Sequence, residues 1–465
     1  MGERCRQRER SGVSLNVDSG RSLRKRVPRS SHAYWVAGKD RPSSVDVITS
    51  QNTDRLQWLV PVRHWRMAQS PFTYYRGAAK LMALDLAETL TTGIHAQICG
   101  DAHLSNFGVY GSPDRALVFD INDFDETLPG PWEWDIKRLA ASFAIAARQN
   151  EFDDAEETDL AVASAAAYRK AMRRFAEMRY LDAWYARIET KDLVDAFRDD
   201  LTKKERKSSK RFIEKAKSRD SLHALGKLAE SVDGGNRIIS QPPLIIPIRD
   251  LEEMAELTEL NSAIRDAFAA YLDSVPDHLE VLLHRFEFMD LAVKAVGVGS
   301  VGTRCHIVLL QGKDSNDPLF LQIKEATRSV LEDHLPNSSY ATAGRRVVEG
   351  QRLMQATSDS FLGWTKSDQS GHQYYWRQLK DMKGSADVED TTPERLHRYA
   401  KLCGWTLARA HARSADTRLI ADYLGKSETF DRAIGEFAVA YADQNQQDYL
   451  SFKTAIETGQ IPAHE

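Results

Sequence analysis

The sequence predicts an α+β protein with a mainly helical large part and a smaller, antiparallel β-rich part. Ala-rich segments with apolar residues at helical spacing argue for the first, and strand–turn–strand runs around the glycines at 297–302 argue for the second. An acid-rich loop and hairpin at 100–126 is where chemistry gathers. With 465 residues, 42% hydrophobic and 28% charged, the chain can bury one large bilobal core or two cores.

Taken in order, residues 1–50 read as a basic, disordered tail. The first thirty carry Arg4, Arg6, Arg8, Arg10, Arg21, Arg24, Lys25, Arg26 and Arg29 against three acids, with no apolar core of signal-peptide length. Residues 51–290 follow as the large helical part. Within it Ala96 to Cys99 is extended, Gly108 to Pro113 carries turn residues, and Ala116 to Phe119 is an apolar run of strand length. Helices are expected over 134–149, 156–187 and 251–274. Between them Lys203 to Lys217 is strongly basic, a solvated helix or an anion-binding flank, and Gln241 to Pro247 is an extended crossing. Residues 291–385 form the β-rich part, and 386–465 return to helices that pack on the large part.

The runs Gly100-Asp101-Ala102-His103-Leu104-Ser105-Asn106-Phe107-Gly108 and Phe119-Asp120-Ile121-Asn122-Asp123-Phe124-Asp125-Glu126 carry the chemistry. An Asp and an Asn on one loop, then an Asp at the end of a hairpin, supply a base and two oxygen ligands for a hard divalent cation. Magnesium takes few protein oxygens, with phosphates and water completing its octahedron. Each acid alone reads as a turn former. Together the Asp, Asn and His side chains read as a site, because like charges gather unfavourably unless a cation neutralises them.

The spacing Gly100-Asp101-x-His103-x-x-Asn106 resembles the catalytic loop of aminoglycoside and choline phosphotransferases, which share the protein-kinase-like fold. The segments Arg66 to Phe72, Tyr75-Arg76-Gly77, Gly100 to Gly108, Asn122 to Glu126 and Trp134 to Ala140 resemble the bacterial DUF2252 family, a domain of unknown function, over most of the chain after about residue 55. The likeness implies Asp101 as base or orienter of an acceptor hydroxyl, with His103 organising the loop. It implies Asn106 and Asp123 as magnesium ligands, with Asp120 the rival of Asp123, and Asp135 as a brace behind the loop. Cys99 stands where the phosphotransferase pattern has His, and reads as a small buried thiol.

A site of that kind needs a phosphate cradle and a lysine. Gly297, Gly299 and Gly302 form a G-x-G-x-x-G between two strands, and Lys324 ends the apolar strand Leu319 to Ile323. Glycines let backbone N–H groups approach phosphate oxygens where a Cβ would block them. Arg304 stands where kinases have the Val that covers adenine. Glu349, on a helix over 345–354, is the candidate carboxylate for Lys324, and the alternative is a solvated acid in an Arg-rich helix. Tyr374 to Leu379 reads as an aromatic strand before a hinge.

In kinases the lysine precedes the catalytic loop, whereas here Asp101 precedes Lys324, so a circularly permuted bilobal kinase-like fold is expected. Ala410 to Asp416 offers no metal-binding Asn for a second catalytic loop, and its His411, Arg413 and Asp416 read as helix C-terminal capping. The expected function is ATP- and Mg-dependent phosphotransfer to a small-molecule or protein hydroxyl. Nucleotidyl transfer on the same fold, or nucleotide binding without turnover, are the alternatives. A net charge of −4 gives no reason to expect nucleic acid, and no stretch has the apolar length of a membrane span. Cys5, Cys99, Cys305 and Cys403 show no metal-ligand spacing and suit a reducing cytoplasm.

Overall fold

Prolines near the first turn open two short helices, α1 (Val60–Met67) and α2 (Pro71–Gly77), where a missing N–H costs nothing. The computed structural model describes residues 19–191, 203–232, 235–251, 266–295, 297–365, 371–379, 382–385, 388–389 and 391–464. The Ala-rich spacing folds as α3 (Trp132–Gln149) and α4 (Asp154–Glu177). Helix α3 is buried continuously from Trp132 to Ala147, so it forms the axis of the helical part. Against α3 and α4 pack α8 (Pro393–Ala412) and α9 (Thr429–Glu457). Between these pairs in the chain come α5 (Lys203–Lys217), α6 (Ser221–Leu228) and α7 (Ala343–Met354).

The β structure is antiparallel in small sheets. Strand β1 (His95–Ile98) pairs with β4 (Leu128–Pro131). A second sheet holds β2 (Phe107–Gly111) and β3 (Leu117–Ile121), flanked by β5 (Ile188–Glu189) and β14 (Gly384–Ser385). Strands β6 (Ala229–Val232) and β7 (Gly235–Ile238) make a hairpin. The largest sheet runs β12 (Gly363–Thr365), β13 (Tyr374–Gln378), β11 (Pro318–Glu325), β10 (Cys305–Gln311), β9 (Glu287–Lys294) and β8 (Ile245–Pro247). Strand β11 is buried along its whole length. Leu319, Leu321 and Ile323 face a cluster with Tyr271 and Trp376, while Phe320 faces Ala224 and Leu228 of α6.

Several expectations need correction. The segment expected as a tail over 1–50 is ordered from residue 19 onward, and residues 1–18 lie outside the described residues. Gly20–Arg26 and Ser44–Ser50 are helices that bury Leu23, Val45, Val47 and Ile48, and Arg29 Nη1 donates to Leu424 O at 2.6 Å. Arg29 therefore caps a helix-terminal carbonyl that would otherwise lack a donor. Residues 107–111 form β2 rather than a turn, which comes at Ser112 to Arg115. The expected helix over 156–187 breaks at Met178 and restarts as Tyr180–Tyr185. Of 251–274, residues 252–265 lie outside the described residues and 266–272 are helical. The boundary at 290 falls inside β9, and the large sheet already begins at Ile245.

Candidate active site

Strand β1 delivers the chain to Gly100, whose φ of +77° favours glycine and where a Cβ would lie 2.8 Å from Glu126 O. One face of α3 then fixes the loop. Asp135 accepts from Cys99 N at 2.8 Å and Gly100 N at 2.9 Å, and one turn later Arg138 donates from Nε to Asp101 Oδ1 at 2.6 Å. Behind Asp135 lies His411, with Nε2 at 3.2 Å from Asp135 Oδ2 and Nδ1 at 2.9 Å from the Tyr168 hydroxyl. His411 is thus a buried support of the loop, while Asp416 caps the following helix through Leu419 N.

Asn106 ends a short 3-10 turn with its amide Nδ2 donating to Asp101 O and Asp123 O, each at 3.0 Å. Those two acceptors fix the amide and turn Oδ1 away as the oxygen for a cation. Asp123 and Asp125 follow β3. Lys324 Nζ, at the end of β11, lies 3.3 Å from Asp123 Oδ1 and 2.5 Å from Asp125 Oδ2, and the Tyr375 hydroxyl donates to Asp125 Oδ1 at 2.6 Å. Burial would raise the Asp123 carboxyl, yet Lys324, Arg377 and Lys383 hold it well below the usual carboxylate range. Burial likewise opposes the Lys324 charge, but Asp123 and Asp125 lift that ammonium well above the usual lysine range.

Asp120 has a different task. Its side chain is buried and ion-paired with buried Arg409, and it accepts from Ala356 N at 2.9 Å. Both oxygens are committed, so Asp120 serves the core and Asp123 faces the cavity. His103 is buried, with Nε2 3.7 Å from Asp101 Oδ2 and Nδ1 without a partner among the described residues; burial pushes its imidazole down to about 4, leaving it neutral near pH 7.

Gly297 and Gly302 have φ of +67° and +88°, and a Cβ on Gly299 would come within 3.2 Å of Arg76 O. The loop they form is pinned: Val298 is buried among residues of the Ser44–Ser50, α1, α2 and α9 segments, and Val301 against Leu59 and Val62. Arg66 Nη1 donates to Gly297 O at 2.7 Å and Arg55 Nη1 to Val301 O at 2.5 Å. Asp101, Asn106 and Asp123 share with Gly297 to Ser300 one cavity of about 450 Å³. A neighbouring cavity of about 430 Å³ is lined by Gln322, Arg377 and Lys383. A larger one of about 600 Å³ lies beside Glu325, which alternates away from Lys324, and the acids of the early loop do not reach it. Arg304 belongs to that side, bonded to Glu325 and to Asp54 O.

Glu349 is not beside Lys324. Its ion pair is with Arg352 at 3.6 Å, and the α7 side chain that faces the acid hairpin is buried Arg346, which donates to Asp125 O and Thr127 O at 2.7 Å each. Glu349→Gln is therefore expected to change stability by no more than about 0.5 kcal/mol, as thermal melts of the two proteins would read. Sequence reasoning missed Arg138, Arg76, Arg377 and Lys383. Two of them had a local signal: Arg138 one helical turn after Asp135, and Arg76 within the family-like Tyr75-Arg76-Gly77.

Fold and site together define an α+β protein with an acid-and-lysine cleft between a helical part and an antiparallel sheet. The model of a family described as "Uncharacterized protein conserved in bacteria (DUF2252)" matches residues 55–455, and the chain belongs to that family. No curated protein and no solved structure matches it significantly.

Proposed function

We propose that the protein is a Mg-dependent phosphotransferase that moves the terminal phosphoryl group of ATP to a hydroxyl acceptor. The observation that carries this reading is the meeting of Lys324 with Asp123 and Asp125, 201 and 199 residues apart in sequence, beside the loop of Asp101 and Asn106. Burying a lysine against two acids, one of which lines the cavity, has a use when phosphates come between them. The arrangement suits a bilobal kinase-like fold in circularly permuted order, with 291–385 as the nucleotide part.

Asn106 Oδ1 and the Asp123 carboxylate would hold the cation, which when bound neutralises charge on the transferring phosphoryl group. Two protein oxygens suit magnesium, and among the described residues no group of three or more His, Cys, Asp or Glu side chains could hold a metal unaided. Lys324 and the amides of Gly297 to Gly302 orient the phosphates. Asp101, held by Arg138, accepts the hydrogen bond of the acceptor hydroxyl and aims its oxygen at the γ-phosphorus. A bond forms there as the hydroxyl proton passes to the Asp101 carboxylate, the bond from the γ-phosphorus to the β–γ bridging oxygen breaks, and ADP leaves.

One observation favours nucleotidyl transfer as the second reading. The apolar face of β10 and β11 beyond Lys324, with Ile307, Leu309 and Phe320, is packed by Ala224 and Leu228, so a base cannot stack there without moving α6. A nucleotide turned to present its α-phosphate avoids that face. ATP labelled at both α and γ positions separates the readings. Label retained in the acceptor product from the γ position is expected, and from the α position overturns phosphoryl transfer. ATP with magnesium at a hundredfold its Kd should also stabilise the fold by about 2.7 kcal/mol. Absence of any shift defeats both.

A further inference from the structure

Resting on the phosphotransfer reading, we propose that the hydroxyl acceptor is an anion, bearing a phosphate or carboxylate group held by Arg76, Arg219, Lys227 and Lys383. These four cations line the same cavity as Asp101, Asn106 and Asp123. The acids there are already matched, Asp101 by Arg138 at 2.5 Å and Asp123 by Lys324 at 3.3 Å. The cations are therefore in surplus.

Arg76 makes no hydrogen bond or ion pair among the described residues, and its Nε is buried without a partner, although Asp101, Glu389 and Asp123 attract it from further off. The Lys383 ammonium also has no side-chain partner among them, although its backbone is held in place, with Arg219 Nη1 donating to Lys383 O at 2.7 Å. Like charges drawn round one small cavity repel unless a guest of opposite sign enters, so the sign of the wall sets the sign of the guest. Helix α5 extends the positive surface to the rim, since Phe212 lies against Gly384 of the cavity wall and Lys207 and Lys210 are exposed.

The nucleotide does not account for the surplus, because Lys324, the glycine-loop amides and a divalent cation already face its phosphates. Cationic acceptors, such as amino sugars or choline, meet repulsion at this wall. The chemistry instead matches a phosphorylated or carboxylated alcohol.

Sulfate, whose charge is constant across neutral pH, and acetate are the probes, titrated calorimetrically into the full chain alone and saturated with magnesium and a non-hydrolysable ATP analogue. Sulfate or acetate is expected to bind the nucleotide-loaded protein, and the stronger of the two marks the acceptor group as phosphate-like or carboxylate-like. Arg76→Gln and Lys383→Gln should each weaken that binding about tenfold. Lys227→Gln, at an exposed position, gives the same reading in weaker form should either variant melt early. Anion binding that nucleotide abolishes, or that all three variants leave unchanged, overturns the anionic acceptor while phosphotransfer stands. Failure of the analogue to bind at all removes the phosphotransfer reading instead, and the acceptor assignment with it.

Discussion

Lys324→Met is expected to lower turnover of γ-labelled ATP by about 10³-fold or more while the protein stays folded. The lysine is buried, but its partners are only half-buried: the Asp123 and Asp125 side chains are 41% and 30% exposed. Water can therefore solvate the carboxylates left behind, so the stability loss should be about 1–3 kcal/mol, between the values for exposed and sealed pairs. Loss of the ammonium also removes the foremost cation holding Asp123 in its charged form. The Asp123 carboxyl then titrates higher, and magnesium binding to the variant should fail first at acid pH and recover as pH rises. Label release together with magnesium titration across pH 4 to 8 checks both halves. Turnover within about tenfold of the parent protein would remove Lys324 from the chemistry.

Asp120→Ala should act in the opposite sense, costing about 3–5 kcal/mol of stability. Here both partners are 1% exposed, so the substitution strands the Arg409 guanidinium in a site that water does not reach, and leaves Ala356 N without its acceptor. Asp123→Asn, three residues along, should melt close to the parent protein and lose magnesium-dependent turnover. Urea unfolding of the two variants side by side separates an acid that builds the core from one that faces the cavity. Equal stabilities would mean that Asp120 is not tied as described.

How far the site was legible depends on the range over which each residue finds its partner. Asp101, Asn106 and Asp123 could be read because one loop and one hairpin bring them together, and Lys324 because it closes an apolar strand after a glycine loop. The α+β class, the Ala-rich helices and the strands on either side of the glycines were readable for the same local reason. Asp120 and Asp123 could not be told apart, since the difference lies in Arg409, 289 residues from Asp120. Glu349 was chosen by helical periodicity, but periodicity gives a face and not its neighbour, and the face that meets the acids carries Arg346. The segment after residue 19 was read as disordered from its charge, whereas Leu23, Val27, Val45, Val47 and Ile48 are buried and Arg29 finds the terminal carbonyl of a distant helix. The cationic wall was hidden because its members come from three separate stretches of chain, around residues 76, 219–227 and 383.

Under the proposed phosphotransfer, the mooring of Val298 and Val301 on segments from residues 45–81 and 449–461 makes the glycine loop a fixed shelf for phosphates. A shelf that is already ordered spends little entropy when a polyphosphate settles on it, but it cannot lift to let one leave. Exchange of spent for fresh nucleotide must then proceed by movement of some other wall, and the tempo of the whole cycle would be set there.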